Sequence, residues 1–255
     1  MAVKIILLAG RGDSSKYMFN GLKDEYEILN VIIEESVSKK IFIQRRIKNL
    51  GILTVFGQLL FQTICVKILF YFSKKRVKEI IQENKLSLKK IPNSKLINVP
   101  SVNSNECKSI IEKIAPDIII VNGTRIISKK ILNSTNAVFV NTHAGITPKY
   151  RGVHGAYWAL ANNDKENCGV TVHLVDAGID TGGIIYQSNI KTLKKDNFTT
   201  YTYLQIAEGI QLMKKALKDI CSNKVSLKKV TSESKLWSHP TIWKYIRLRI
   251  TKGIK

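Results

Sequence analysis

Six short apolar runs, rich in β-branched residues, are strung along this chain at 3–8, 26–33, 116–122, 136–141, 169–175 and 183–190. Runs of that length and composition read as buried strands. Helix-length segments separate the later ones, at 106–114, 128–132 and 154–162, and a long helix closes the series at about 200–220. Strands alternating with helices dictate an α/β fold with a mostly parallel sheet and helices on both faces. At 255 residues the chain is long enough for one such Rossmann-like core plus appendages. We expect a catalytic domain over 1–220 and a tail over 221–255.

Charge divides the chain more sharply than hydropathy does. Residues 37–95 carry 14 basic and 2 acidic side chains, and residues 221–255 carry 9 and 1, so +20 of the net +22 sits in these two segments. A nucleic-acid binder with a uniformly basic surface would not be partitioned this way, and no nucleic-acid partner is expected. The first segment is a helical insert after the second strand. Within it, residues 52–72 contain a single charge, Lys67, and are bracketed by Arg45, Arg46 and Lys48 on one side and by Lys74, Lys75 and Arg76 on the other. Length alone would admit a membrane span. Gln58, Gln62 and Lys67 interrupt it, and a crossing chain would have to return to complete the same sheet. Two readings stand: a helical hairpin packed on the core or across a homodimer, or a segment lying on a membrane surface with lysines toward anionic headgroups. The tail, with Trp237 and Trp243 among its cations, suits the same surface or a docked C-terminus.

The four cysteines, Cys65, Cys107, Cys168 and Cys221, are scattered without metal-ligand spacing. They point to a reducing cytoplasm and to no metal site. Residues 1–4 run directly into the first strand, so no signal peptide is expected.

Chemistry concentrates after the fourth run. In an extended chain, residues two apart share a side, so Asn141 and His143 face one way at a strand's C-terminal end, where open α/β sheets place their ligands. Asp180 follows His143 by 37 positions, inside Asp176-Ala-Gly-Ile-Asp-Thr-Gly-Gly183. An amide that donates to a developing oxyanion, an imidazole that relays a proton and a carboxylate that orients it are what acyl transfer to an amine requires. Nearer the N-terminus, Gly10-Arg-Gly12 leads from a strand into a helix. It is either a phosphate-binding turn or a plain tight turn with Asp13 or Ser14 as N-cap.

Asn141-Thr-His143, Pro148, Tyr150-Arg-Gly152, Gly169-Val-Thr-Val-His173 and the 176–183 motif resemble, in order and spacing, the core of the N10-formyltetrahydrofolate-dependent formyltransferases. The resemblance implies a formyl transfer with Asn141, His143 and Asp180 as the catalytic trio. It implies N10-formyltetrahydrofolate as co-substrate, held by Arg125, Ile126, Ile127 and Asp176. It assigns the acceptor to Gly10, Gly12, Asp13, Ser14, Tyr150, Arg151 and His173, although a strand histidine satisfied by hydrogen bonds reads equally well at His173. One departure stands out: the usual Ser-Leu-Leu-Pro after the histidine is Gly145-Ile-Thr-Pro148 here.

The acceptor expected is a small-molecule amine, the amino group of a nucleotide-linked sugar for surface polysaccharide. Glycinamide ribonucleotide is the alternative. A methionyl-tRNA formyltransferase carries a separate C-terminal β-domain where only 35 residues follow the long helix here, and a formyltetrahydrofolate hydrolase carries a domain before the first strand. Both rank behind, as does a non-catalytic membrane-associated scaffold. The expected location is the cytoplasm, with the inner membrane face as the alternative.

Overall fold

The computed structural model describes residues 3–255. The chain runs β1 (Ile5–Ala9), α1 (Asp13–Leu22), β2 (Ile28–Glu34), α2 (Lys39–Leu50), α3 (Ile52–Leu60), a π-turn (Phe61–Cys65) and α4 (Val66–Glu83). It continues through β3 (Leu96–Val99), α5 (Asn105–Ile114), β4 (Ile118–Asn122), α6 (Lys129–Leu132), β5 (Val138–His143), the short β6 (Arg151–Gly152) and α7 (Gly155–Ala161). Then come β7 (Gly169–Leu174), β8 (Ile184–Asn189), α8 (Phe198–Cys221), the short β9 (Leu236–Trp237) and α9 (Ile242–Lys252).

Seven strands form one sheet in the order β3-β2-β1-β4-β5-β7-β8. The pairs from β3 to β5 are parallel, and β7 and β8 add an antiparallel edge. Side chains alternate across the sheet as the pleat requires. Ile5, Leu7 and Ala9 pack with Tyr17, Met18, Leu212 and Met213 on the α1/α8 face. Ile6 and Leu8 pack with Cys107, Ile111 and Ile131 on the α5/α6 face. Strand order reverses between β1 and β4, so a crevice opens beyond Ala9 and Asn122. The two chains stay close past that point: Gly10 N donates to Asn122 O at 3.1 Å, and a Cβ on Gly10 would stand 2.3 Å from the Gly123 carbonyl.

Three features differ from the sequence reading. Strand β3 was not expected; Leu96 and Ile97 are only partly covered at the sheet edge, which leaves too short an apolar signal. The bend of the helical segment falls at Gly51 (φ +81), and Ile52–Glu83 is one continuous helix rather than a hairpin within the apolar run. Gly12, extended, is the N-cap of α1 in place of Asp13 or Ser14.

A further core lies under α7. Phe61, Tyr157, Trp158, Phe198, Tyr201, Tyr245 and Leu248 pack together, drawing on the π-turn, α7, α8 and α9. Trp243 of α9 sits on Gly57 of α3, where a Cβ would come within 2.1 Å of the indole. The tail is therefore docked. Leu236–Trp237 pairs with Arg151–Gly152, and Trp237 Nε1 donates to Lys149 O at 3.0 Å.

Candidate active site

Strand β5 ends where the apolar run gives way to polar residues, and its partner β7 fixes its register. Asn141 lies opposite His173, and His143 opposite Thr171. His173 Nδ1 donates to its neighbouring Leu174 carbonyl at 2.7 Å, and its Nε2 stands 3.2 Å from Asn141 Nδ2 and 3.7 Å from Asp180 Oδ1. The contact with Asn141 orients the amide and leaves its second N–H for another acceptor. His173 is both lining and satisfied, and its two readings merge.

His143 is nearly enclosed, at 6% exposure. Its Nε2 lies 2.7 Å from the Tyr150 carbonyl and its Nδ1 3.3 Å from Asp180 Oδ2. Each nitrogen faces an acceptor, yet a neutral imidazole carries one proton. Burial holds the ring below the ordinary histidine range, while Asp180 and the Tyr150 carbonyl oppose that shift. Burial would raise the Asp180 carboxyl, but His173, His143 and the Gly152 N–H outweigh it and keep the group below the usual carboxylate range. The result is a carboxylate beside an imidazole that gains a second good hydrogen bond on accepting a proton.

Asp180 is placed by its loop. Its φ is +52, a left-handed conformation that aspartate adopts more readily than most residues. Gly152 N donates to Oδ2 at 2.9 Å. Gly152 itself has φ +92, and a Cβ there would strike the Trp237 carbonyl at 2.4 Å. Asp176 builds the same loop, accepting from Gly178 N at 3.0 Å and Thr181 Oγ1 at 2.7 Å. Arg151 Nη1 braces it through Ile179 O at 3.0 Å. The departure at Gly145 also has a reason: a Cβ would stand 2.3 Å from the Tyr150 carbonyl and 2.8 Å from His143 Nε2.

A cavity of about 410 Å³ unites most of the expected residues. Asn141, His143, His173, Asp176 and Asp180 line one side, and Arg125, Ile126 and Ile127 the other, with Gly123 and Val175 between. Glu34 anchors the second wall, a role the sequence reading missed. Buried at the end of β2, its carboxylate accepts from Arg125 N at 2.6 Å and Val102 N at 3.2 Å and lies 3.4 Å from Arg125 Nε. Its one signal was a carboxylate closing an apolar strand.

Several residues expected at the acceptor lie elsewhere in the structure. The Tyr150 ring is 1% exposed, stacks on Trp237 and donates its hydroxyl to Asp164 at 2.8 Å; only its carbonyl serves the site. The Arg151 side chain is spent on the loop and does not line the cavity. Gly10 and Gly12 line a separate depression of about 290 Å³ with Arg11, Lys16 and Lys90. Asp13 and Ser14 line neither cavity: Asp13 pairs with Lys16 at 2.9 Å and Ser14 Oγ accepts from Asn122 at 3.2 Å. Among the described residues, no cluster of three or more His, Cys, Asp or Glu side chains is arranged to hold a metal ion.

Residues 57–217 match the family described as Formyl transferase. The methionyl-tRNA formyltransferase of Finegoldia magna is 37% identical over 97 residues, 38% of this chain and 31% of that protein. The chain covers less than half the length of the curated relatives it matches. A sugar N-formyltransferase from a Shewanella species superposes with TM-score 0.56 at 13% identity, over 91% of this chain and 76% of that one. Glycinamide ribonucleotide transformylase 1 from Symbiobacterium toebii gives 0.58 at 16% identity, over 89% and 91%. At such identities the likeness establishes the fold.

Proposed function

Because the chain belongs to the formyl transferase family, we propose that it moves the formyl group of N10-formyltetrahydrofolate onto a primary amine, the amino group of a nucleotide-linked amino sugar. The observation that carries the chemistry is the His143 ring held between the Asp180 carboxylate and the Tyr150 carbonyl, beside the Asn141 amide.

The wall opposite the trio fits a flat aromatic group with polar edges. Ile126, 54% exposed, supplies an apolar face backed by the buried Ile127, and residues 123–127 border the cavity. The co-substrate supplies an activated formyl carbon when bound there. The rest falls to this chain. Asn141 offers its free N–H to the formyl oxygen as negative charge gathers on it, a contact worth about 3–4 kcal/mol of barrier. The attacking amine must lose one proton as its bond to carbon forms and the bond to N10 breaks. His143 and Asp180 take it up together: the imidazole gains a proton, the carboxylate that faces it stabilises the cation, and the proton passes on to the departing N10. Glu34 keeps the folate wall in place through Arg125.

Sugar N-formyltransferases share this fold over 91% of the chain, as the ribonucleotide enzyme does over 89%, so the fold suits both acceptors; the docked tail that pairs with Gly152 beside the cavity is the feature we assign to a sugar. The ribonucleotide reading rests on Arg11, Lys16 and Lys90 around Gly10 and Gly12, against which Asp13 sets a carboxylate in the first turn of α1. The tRNA reading rests on the curated relatives, matched over less than half of their length. Four free thiols suit the reducing cytoplasm as the site of reaction.

The test is formyl transfer from N10-formyltetrahydrofolate, read by mass, to a panel of nucleotide-linked amino sugars with glycinamide ribonucleotide and methionyl-tRNA alongside. A formylated sugar supports the reading. Formylation of the ribonucleotide or the tRNA alone replaces it.

A further inference from the structure

The helix Ile52–Glu83 has two faces with different surroundings. Its inner face is part of the fold: Phe61, Val77 and Ile80 are buried, and Arg76 Nε donates to the buried Asp196 at 2.9 Å. Its outer face turns Leu53, Phe56, Ile64, Ile68 and Phe72 to solvent, at 74, 54, 46, 52 and 80% exposure. Steps of three, four and eight residues keep these side chains on one side of a helix. The stripe runs about 30 Å at 1.5 Å per residue.

Neighbouring helices extend it. Helix α2 has no buried residue, although it carries Ile41, Phe42 and Leu50. A helix with apolar side chains and nothing to bury them against lacks its partner surface. On α9, Trp243, Ile246 and Ile250 are 47, 46 and 78% exposed at helical spacing, and the Trp243 contact with Gly57 sets this row beside α3. Monomeric proteins seldom leave so extended an apolar surface uncovered.

Charge identifies the occupant. Lys74, Lys75 and Lys78 follow the stripe on α4, and Lys39, Lys40 and Arg45 lie along α2. On α9, Lys244 and Arg247 border a depression of about 680 Å³ whose lining contains no acidic side chain. A second copy would bring the same cations against these and repel them. A bilayer with anionic headgroups accepts both the apolar stripe and the lysines. Although Ile52–Glu83 is long and apolar enough to cross a membrane, crossing would tear Arg76 from Asp196 and strip the inner face from α8.

We propose that α2, the outer face of α3–α4 and the outer row of α9 form one docking surface for an anionic lipid bilayer, with the apolar side chains at the acyl boundary and the flanking lysines and arginines on headgroup phosphates. This assignment is independent of which amine is formylated.

The test is co-sedimentation of the full chain with phosphatidylcholine vesicles, with and without phosphatidylglycerol, at about 0.05 M and about 0.5 M salt. The wild type pellets with the phosphatidylglycerol vesicles at low salt, less so at high salt, and stays in solution with phosphatidylcholine alone. Leu53→Glu/Phe56→Glu/Ile68→Glu changes only exposed side chains; it abolishes pelleting and leaves the thermal unfolding midpoint near wild type. Lys75→Gln/Lys78→Gln, both exposed beside the stripe, weakens partitioning roughly 25-fold, fivefold for each cation lost. No pelleting of the wild type at either salt overturns the proposal. So does equal pelleting of the wild type and the folded Leu53/Phe56/Ile68 variant, or a salt-independent dimer in analytical ultracentrifugation that the same variant dissociates.

Discussion

His143 and Asp180, 37 residues apart in sequence, meet through Nδ1 and Oδ2 at 3.3 Å, while the far nitrogen of the ring is held 2.7 Å from the Tyr150 carbonyl. Three chain segments thus share one imidazole. Burial keeps its pKa below the histidine norm and Asp180 pulls it back up, so the carboxylate sets how readily the ring accepts a proton.

Asp180→Asn preserves the shape and an oxygen for Gly152 N but removes the charge. The turnover rate is expected to fall by about 10²–10⁴. Without the anion the His143 pKa drops further, so the acid limb of the pH–rate profile moves to lower pH. Steady-state kinetics across pH measures both; an unmoved acid limb would show that His143 does not sense Asp180.

Asn141→Ala removes the proposed oxyanion donor while leaving the β5–β7 backbone pairing intact. The turnover rate should drop by about 10²–10³ with a small change in the Michaelis constant. The unfolding midpoint should stay close to wild type. A variant that retains wild-type turnover would exclude the amide from the mechanism.

Glu34→Gln tests the folate wall. The amide can keep one acceptor for Arg125 N or Val102 N but loses the ion pair with the guanidinium. Loss of charged hydrogen bonds at a buried site costs about 1.5–3 kcal/mol. Weaker folate binding by calorimetry and a lower urea midpoint are both expected, with the acceptor's Michaelis constant unchanged.

His154 and His239 are bonded to each other at 2.8 Å under the tail, with pKa values lowered by burial from 6.5 to about 3 and about 4. Both stay neutral in the fold but take protons when the chain unfolds. Their contribution is complete above pH 6.5 and is lost as pH falls toward 4, at about 1.4 kcal/mol per pH unit for each histidine. Unfolding midpoints from pH 7 to 5 should decline, and His154→Asn/His239→Asn should flatten the decline.

Local pattern alone carried six of the seven strands of the main sheet, and the family resemblance supplied the trio. Runs such as 118–121 and 138–140 are apolar at consecutive positions, which only a strand covered on both faces needs. The Asn-x-His spacing then set two polar groups on one side of β5 before any long-range contact was known. Pairing with Asp180 was legible through the resemblance of the whole motif, because turn-forming glycines fixed its loop.

What lay beyond the sequence depended on long-range partners. Tyr150 reads as a polar site residue, yet Asp164 and Trp237 claim its ring and leave the site only a carbonyl. Glu34 is one acidic residue among many until β3 and the 123–127 loop bring Arg125 N and Val102 N to it. Gly145 reads as a lost serine until the Tyr150 carbonyl comes within reach of a Cβ. Periodicity and turn chemistry are local and survive in one dimension. Which side chain is consumed by packing, and which is left free to react, is decided by neighbours tens of residues away, and only the folded chain supplies them.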